Sequence, residues 1–477
     1  MTADENARRW KALAVLGIAY LMVVLDVSIV NVGLPSIQTD LGFAPEDLQW
    51  VVSGYALTFG GFLLLGGRAG DLLGRRIIFM IGLAAFAGFS LLAGLSTSPG
   101  MLITARLLQG AAGAILAPSV FSIVSVTFRE GSERNKALGI LGGIAGSGAA
   151  IGVLLGGILT QYAGWEWIFF VNVPIGLATI PLVLRYVDES RADGLAKHFD
   201  SAGAVTVTGS LMLLVYGLTQ STNVGWGSAR TIGVLVGSAV LMAAFVFIES
   251  RSRSPLVPLG FFRRRTPTGA NLIGLGIGAM VFGMFFLLSL YQQQVLHFSA
   301  LKTGVGYLAV ALTAVVASGI AQAAVTKVGV KPALTAGMVL LGGGLAYFTQ
   351  VSPQGSYVSD LLPGFLLVGV GLGFAFVPVS IAALAGVGPL DAGLASGLIN
   401  TSQQIGGALG LAILATVSTT RTENLLADGK PPAEALTSGF ALAFWVGVAF
   451  AAASLVATLL YLRREDLTNP KVAPVAA

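Results

Sequence analysis

Fourteen apolar stretches, each about as long as the 20 residues a bilayer-spanning helix needs, succeed one another along this chain. They run approximately over 11–33, 48–67, 77–96, 101–128, 137–161, 166–186, 202–220, 230–249, 268–293, 302–326, 333–351, 358–385, 393–419 and 437–462. In lipid every backbone N–H and C=O must find a partner within the protein, which leaves helices as the form for stretches of this length. Hydrophobic residues make up 55% of the 477, and only 10% are charged, where soluble domains carry about 25%. The expectation is an all-α membrane protein with both faces of most helices in lipid or in each other. The first stretch runs past the length of a cleavable leader's apolar core and contains Asp26, so it reads as a span.

Several chemistries lack their residues. There is no cysteine and there are only two histidines, His198 and His297, which argues against disulfides, thiol nucleophiles and Cys/His metal centres. No Gly-x-x-x-x-Gly-Lys loop is present for nucleotide phosphates, and no Gly-x-Ser-x-Gly elbow for a serine nucleophile. The sequence therefore predicts no enzyme, no metal and no cofactor.

Lysine and arginine set the orientation. Of the 27, 22 fall in the N-terminal tail, the even-numbered connections and the C-terminal tail; Arg230, Lys302, Arg421 and Lys430 fall on the opposite side, and Arg106 lies within a span. This asymmetry predicts both termini in the cytoplasm and a multi-pass protein of the cell's inner (plasma) membrane. It also accounts for the net charge of +5 as a topological signal, with no nucleic-acid partner implied. The charged connections near Arg185–Asp200 and Arg251–Arg265 divide the chain into a six-helix half over 1–200, a two-helix insert over 201–265 and a second six-helix half over 266–477.

Ionisable groups inside a membrane are costly and mark function. Two lie deep in spans: Asp26, in Leu25-Asp26-Val27-Ser28-Ile29-Val30-Asn31, and Arg106, in Arg106-Leu107-Leu108-Gln109-Gly110. A carboxylate that meets water, Arg106 or cargo in different conformations can load and release a proton. The alternative is a static pair that only locks two helices. Arg106, Gln109, Gly110 and Gly113 share a helical face, as do Gly393, Gly397, Asn400, Gln404 and Gly407. Asn31, Gln109, Asn400 and Gln404 are the expected polar lining of a central cavity, against the bland reading of helix-packing stripes. Between spans 2 and 3, Gly67-Arg68-Ala69-Gly70-Asp71-Leu72-Leu73-Gly74-Arg75-Arg76 combines a tight turn with an acid and arginines able to pair or cap.

That last segment resembles motif A of the major facilitator superfamily, with Leu72 at a position usually basic. The segment from Leu25 to Pro35 is similar to the span 1 motif of its fourteen-span drug:proton antiporter subfamily, and Arg106 to Gly110 to motif B. Trp165-Glu166-Trp167-Ile168-Phe169-Phe170-Val171-Asn172-Val173-Pro174-Ile175-Gly176 resembles a further stretch, with Glu166 where arginine is usual. Gly152-Val153-Leu154-Leu155-Gly156-Gly157 is similar to motif C, with Val153 in place of its proline.

The resemblance covers nearly the whole chain. It implies a major facilitator fold of fourteen transmembrane helices and proton-coupled export of amphipathic drugs or antibiotics by a monomer that rocks two halves about a central site. Asp26 and Arg106 would couple the proton. Gly67, Asp71, Gly74, Arg75 and Arg76 would gate the cytoplasmic side. The partners are a small-molecule substrate, protons and the lipid bilayer. The alternatives are a uniporter or importer of a metabolite, for which Val153 leaves room, and a lipid transferase, which lacks the clustered acids it would need.

Overall fold

A computed structural model describes residues 3–128, 132–191, 200–252, 255–257, 259–387 and 392–463. Helices make up most of these residues, and no strand occurs among them. The helices are α1 (Ala3–Leu41), α2 (Trp50–Leu73), α3 (Arg75–Gly94), α4 (Pro99–Thr127), α5 (Ser132–Tyr162), α6 (Trp167–Phe170), α7 (Asn172–Tyr186) and α8 (Ser201–Val224). They continue as α9 (Ala229–Arg251), α10 (Arg265–Leu290), α11 (Ala300–Val328), α12 (Val330–Phe348), α13 (Leu362–Ala383), α14 (Ala392–Ala427) and α15 (Pro432–Tyr461). Short polar side chains start several of them: Ser98, Asp200, Ser228 and Ser299 each accept a hydrogen bond from a backbone N–H in the following turn.

Twelve helices among the described residues are long and apolar enough to cross a bilayer, where the sequence reading expects fourteen. The two expected spans that do not qualify lie on α5 and α14. On α5 the described apolar run is Ala150–Tyr162. On α14 the consecutive polar residues Asn400, Thr401, Ser402, Gln403 and Gln404 dilute the hydropathy of a 36-residue helix.

Helices α1 to α7 pack among themselves, through α2 on α4, α1 on α5, α3 on α4 and α3 on α7. Helices α10 to α15 do the same, through α10 on α14, α12 on α13 and α11 on α13. The two groups meet along two seams, α5 with α11 and α2 with α14. Glycine makes these seams close. A β-carbon on Gly157 would sit 2.8 Å from the Ala300 carbonyl oxygen, one on Gly60 2.9 Å from Gln404 Cβ, and one on Gly304 would overlap the Val153 carbonyl. Helix α8 packs on α9 and also touches both α2 and α14, so the α8–α9 pair stands beside the second seam.

Candidate functional site

The motif C-like glycines put α1 against α5: Gly152 faces Ser28 and Gly156 faces the Ile29 carbonyl. On the other side of the group, Gly110 of α4 meets the Tyr55 carbonyl and Thr58 so closely that any β-carbon would overlap them. That approach brings α2 within reach of the arginine one turn earlier on α4. Arg106 Nε donates to the Val51 carbonyl at 2.9 Å, and its guanidinium lies 4.4 Å above the Tyr55 ring and 5.6 Å from that of Phe169. The aromatic faces stabilise a cation out of water.

From there the arginine reaches α1. Arg106 Nη1 donates to Asp26 Oδ2 and to Gln109 Oε1, each at 2.6 Å. Gln109 Nε2 donates to Asp26 Oδ1 at 2.8 Å, and Asn172 Nδ2, from the start of α7, donates to the same oxygen at 3.0 Å. Ser90 of α3 closes the network: its hydroxyl accepts from Gln109 and Asn172 at 3.1 and 2.9 Å and donates to the Phe169 carbonyl at 2.9 Å. Asp26 is 0% exposed and Arg106 1% exposed. A buried ion pair survives desolvation only when its remaining donors and acceptors are also met. Here the carboxylate accepts from three side chains on two other helices.

The structure brings Asp26 and Arg106, both singled out from the sequence, into contact, whereas Gln109, expected to line a cavity, is enclosed in the same network. Its i+3 spacing from Arg106 points it at the same carboxylate. Ser90, Asn172, Tyr55 and Phe169 were not singled out from sequence. For Asn172 a signal existed, since it is a lone amide inside Phe169-Phe170-Val171-Asn172-Val173-Pro174.

The other expected lining residues lie apart from this network. Asn31 donates to the Val27 carbonyl at 3.2 Å and leaves its Oδ1 buried without a partner. Asn400 is exposed and bonded to the Ser396 carbonyl of its own helix. Gln404 lies half-buried beside Gly60, its Oε1 unpartnered.

At the motif A-like turn, Gly74 has φ +119°, a conformation that favours glycine, and links α2 to α3. Arg75 Nε donates to Ser122 at 2.6 Å, and the Arg75 N–H donates to the Ser190 carbonyl. Glu189 caps α3: its two oxygens accept the backbone N–H groups of Arg76 and Ile77, each at 3.1 Å. Gly67 lies against Pro118. The side chain of Asp71 lies outside the described residues.

Two helical groups joined along paired seams, with an enclosed ion pair in the first, define a polytopic membrane protein of the transporter type. The sequence profile of the Major Facilitator Superfamily matches residues 16–411, and the chain belongs to that superfamily. It is 38% identical to a puromycin resistance protein of Streptomyces alboniger, over 95% of this chain and 90% of that one. It is 40% identical to a cephamycin export protein of Amycolatopsis lactamdurans, over 92% and 89%. A lincomycin resistance protein of Streptomyces lincolnensis is 33% identical over 87% and 86%. Among solved structures, a bacterial homologue of the lysosomal transporter Spinster, inward-facing, matches with a TM-score of 0.67 at 16% identity, over 97% of this chain and 99% of that one. The peptide transporter POT matches with the same TM-score at 15% identity, over 94% of each chain. At such identities these structures speak for the fold alone.

Proposed function

We propose that this protein exports amphipathic drugs or antibiotics across the cytoplasmic membrane in exchange for protons, by alternating access. Relatives named for resistance and export, similar along nearly their whole length, support the export direction. The observation that carries the coupling is the Asp26–Arg106 pair, enclosed at 2.6 Å and tied through its partners to α1, α2, α3, α4 and α7. Moving a proton onto Asp26 removes the negative partner of Arg106 and frees donors on two helices, α4 and α7. A protonation event of that kind re-sorts helix contacts, which is what coupling requires.

In this reading 1–200 and 266–477 rock about the two seams, and 201–265 is an added pair. Helices α5 and α14, 31 and 36 residues long, each exceed the length a bilayer requires and bring the twelve spans to fourteen, with both termini cytoplasmic. Gly67, Asp71, Gly74, Arg75 and Arg76 form the inner gate. Asn31, Asn400 and Gln404 face the cargo path, with Gln109 reassigned to the coupling network.

Polar ties between the two groups support an outward-closed state. Gln293 donates to the Val32 carbonyl at 2.9 Å and Gln294 to Gln38 at 2.8 Å, both near the outer end of α1. The monomer suffices, since the network is complete within one chain.

The test is transport in proteoliposomes with an imposed pH gradient and a panel of dyes and antibiotics. Gradient-driven uphill movement is expected. Movement only down the substrate's own gradient would favour the uniporter reading, which rests on Val153 in place of a helix-kinking proline.

A further inference from the structure

Asp200 and Glu249 belong to the α8–α9 pair, far in sequence from Asp26 and unused by the coupling reading. Asp200 precedes α8 and caps it: Oδ1 accepts from the Gly203 N–H at 2.7 Å. Glu249 ends its approach from α9 with Oε2 accepting from the Val257 N–H at 3.4 Å. The second oxygen of each, Asp200 Oδ2 and Glu249 Oε1, is buried with no hydrogen-bond partner, on residues 6% and 4% exposed. The two carboxyl groups also flank the same glycine, Gly203. A β-carbon placed on Gly203 would stand 2.9 Å from Asp200 Oδ1 and 3.0 Å from Glu249 Oε1, so these oxygens are at most about 6 Å apart.

We propose that Asp200 and Glu249 hold one proton between them, a second protonation site built into the two-helix pair. Two carboxylates within about 6 Å of each other and out of water disfavour each other's charge when no cation is beside them, and a shared proton gives each orphaned oxygen a role as donor or acceptor. No cation meets them among the described residues. Helix α8 carries no lysine, arginine or further acid. On α9, Arg251 lies 4.3 Å over the Phe247 ring and Arg230 bonds Tyr216 at the other end. In the following connection Arg264 donates to the Gly386 carbonyl. Lys197, His198 and Arg253 lie outside the described residues.

The site is placed to matter mechanically. Glu249 holds Val257, and Val257 packs against the cluster of Phe261, Ala395 and Leu398, which Leu64 of α2 and Leu394 of α14 also join, so the connection meets the α2–α14 seam. Loss of the proton sets two like charges against each other under that clasp. The inference does not depend on the direction of transport or on the substrate.

Infrared spectroscopy of the full-length chain in lipid reads it directly. Asp26→Asn serves as the parent, so that the coupling carboxyl is silent. At pH 7 this parent is expected to show a protonated-carboxyl C=O band of one group. Glu249→Gln and Asp200→Asn, each added to the parent, are expected to abolish it, because an amide donor beside the remaining acid lets that acid ionise. No band in the parent at pH 7 would overturn the proposal, leaving two ionised acids and a bound cation. So would a band that persists in both variants. If one variant fails to fold, the parent spectrum and the other variant still decide.

Discussion

Asn172, the first residue of α7, donates its amide to the same Asp26 oxygen that Gln109 of α4 engages, so that a carboxylate on α1 is held from positions 83 and 146 residues further along the chain. This is the contact that ties the end of the first helical group to its ion pair. Asn172→Ala removes a charge-assisted hydrogen bond from a buried site, a loss of about 1.5–3 kcal/mol. Turnover in proteoliposomes is expected to fall several-fold, with drug binding measured by fluorescence quenching changed less than twofold. Unaltered turnover would reduce Asn172 to a packing residue.

Gly110 sets the distance between α2 and α4. Its substitution forces the Tyr55 backbone away, and overpacking of this kind costs about 1–3 kcal/mol. Gly110→Ala is expected to lower the Tm of the detergent-solubilised protein and to weaken transport. Gly100→Ala, at a position with open space around it, is expected to change neither. Equal Tm values for the two variants would contradict the packing argument.

How much of this was legible in the sequence depended on range. Asp26 and Arg106 stood out because a charge in an apolar stretch is costly wherever the helix lies, and the basic residues alternated with the spans. Asn172 and Ser90 are small polar residues of a sort that helices routinely satisfy internally. Only the crossing of α1, α3, α4 and α7 brings them to Asp26. Gln109 was assigned to the cavity because helical spacing fixes a face without saying what that face meets. The polar run Asn400 to Gln404 lowered the hydropathy of α14, which with α5 makes up the difference between the twelve described spans and the fourteen that the sequence reading expects.

Glu423, near the end of α14, stands close enough to Glu46 for their charges to interact, and burial followed by that repulsion raises its pKa above the ordinary glutamate value. A raised carboxyl pKa means that the folded state favours the neutral form. Stability from this group is therefore fullest at low pH and is lost as pH rises through the raised value. Glu423→Gln is expected to give a slightly higher Tm than the parent at pH 7, the difference vanishing below about pH 4, where glutamate is protonated folded or unfolded. A Tm difference independent of pH would rule out repulsion as the cause.

The absence of cysteine makes orientation measurable without altering background thiols. Lys197→Cys is expected to react with an impermeant maleimide only in everted vesicles, and Thr222→Cys only in intact cells. Reaction of both from one side would dismantle the fourteen-span topology and the placement of the termini.

The claim at the centre is that Asp26 carries the transported proton. The decisive measurement compares wild type and Asp26→Asn in proteoliposomes, recording drug accumulation against its gradient and the accompanying pH change in the lumen. Asparagine preserves the size of the site and, like the protonated acid, keeps one acceptor oxygen beside one donor, but it cannot exchange a proton at this position. Wild type is expected to move drug uphill with opposite proton flux. Asp26→Asn is expected to bind drug and to equilibrate it down its gradient, with neither accumulation nor coupled pH change. Uphill, proton-driven accumulation by Asp26→Asn at the wild-type rate would place the coupling site elsewhere and leave the Asp26–Arg106 pair a structural lock.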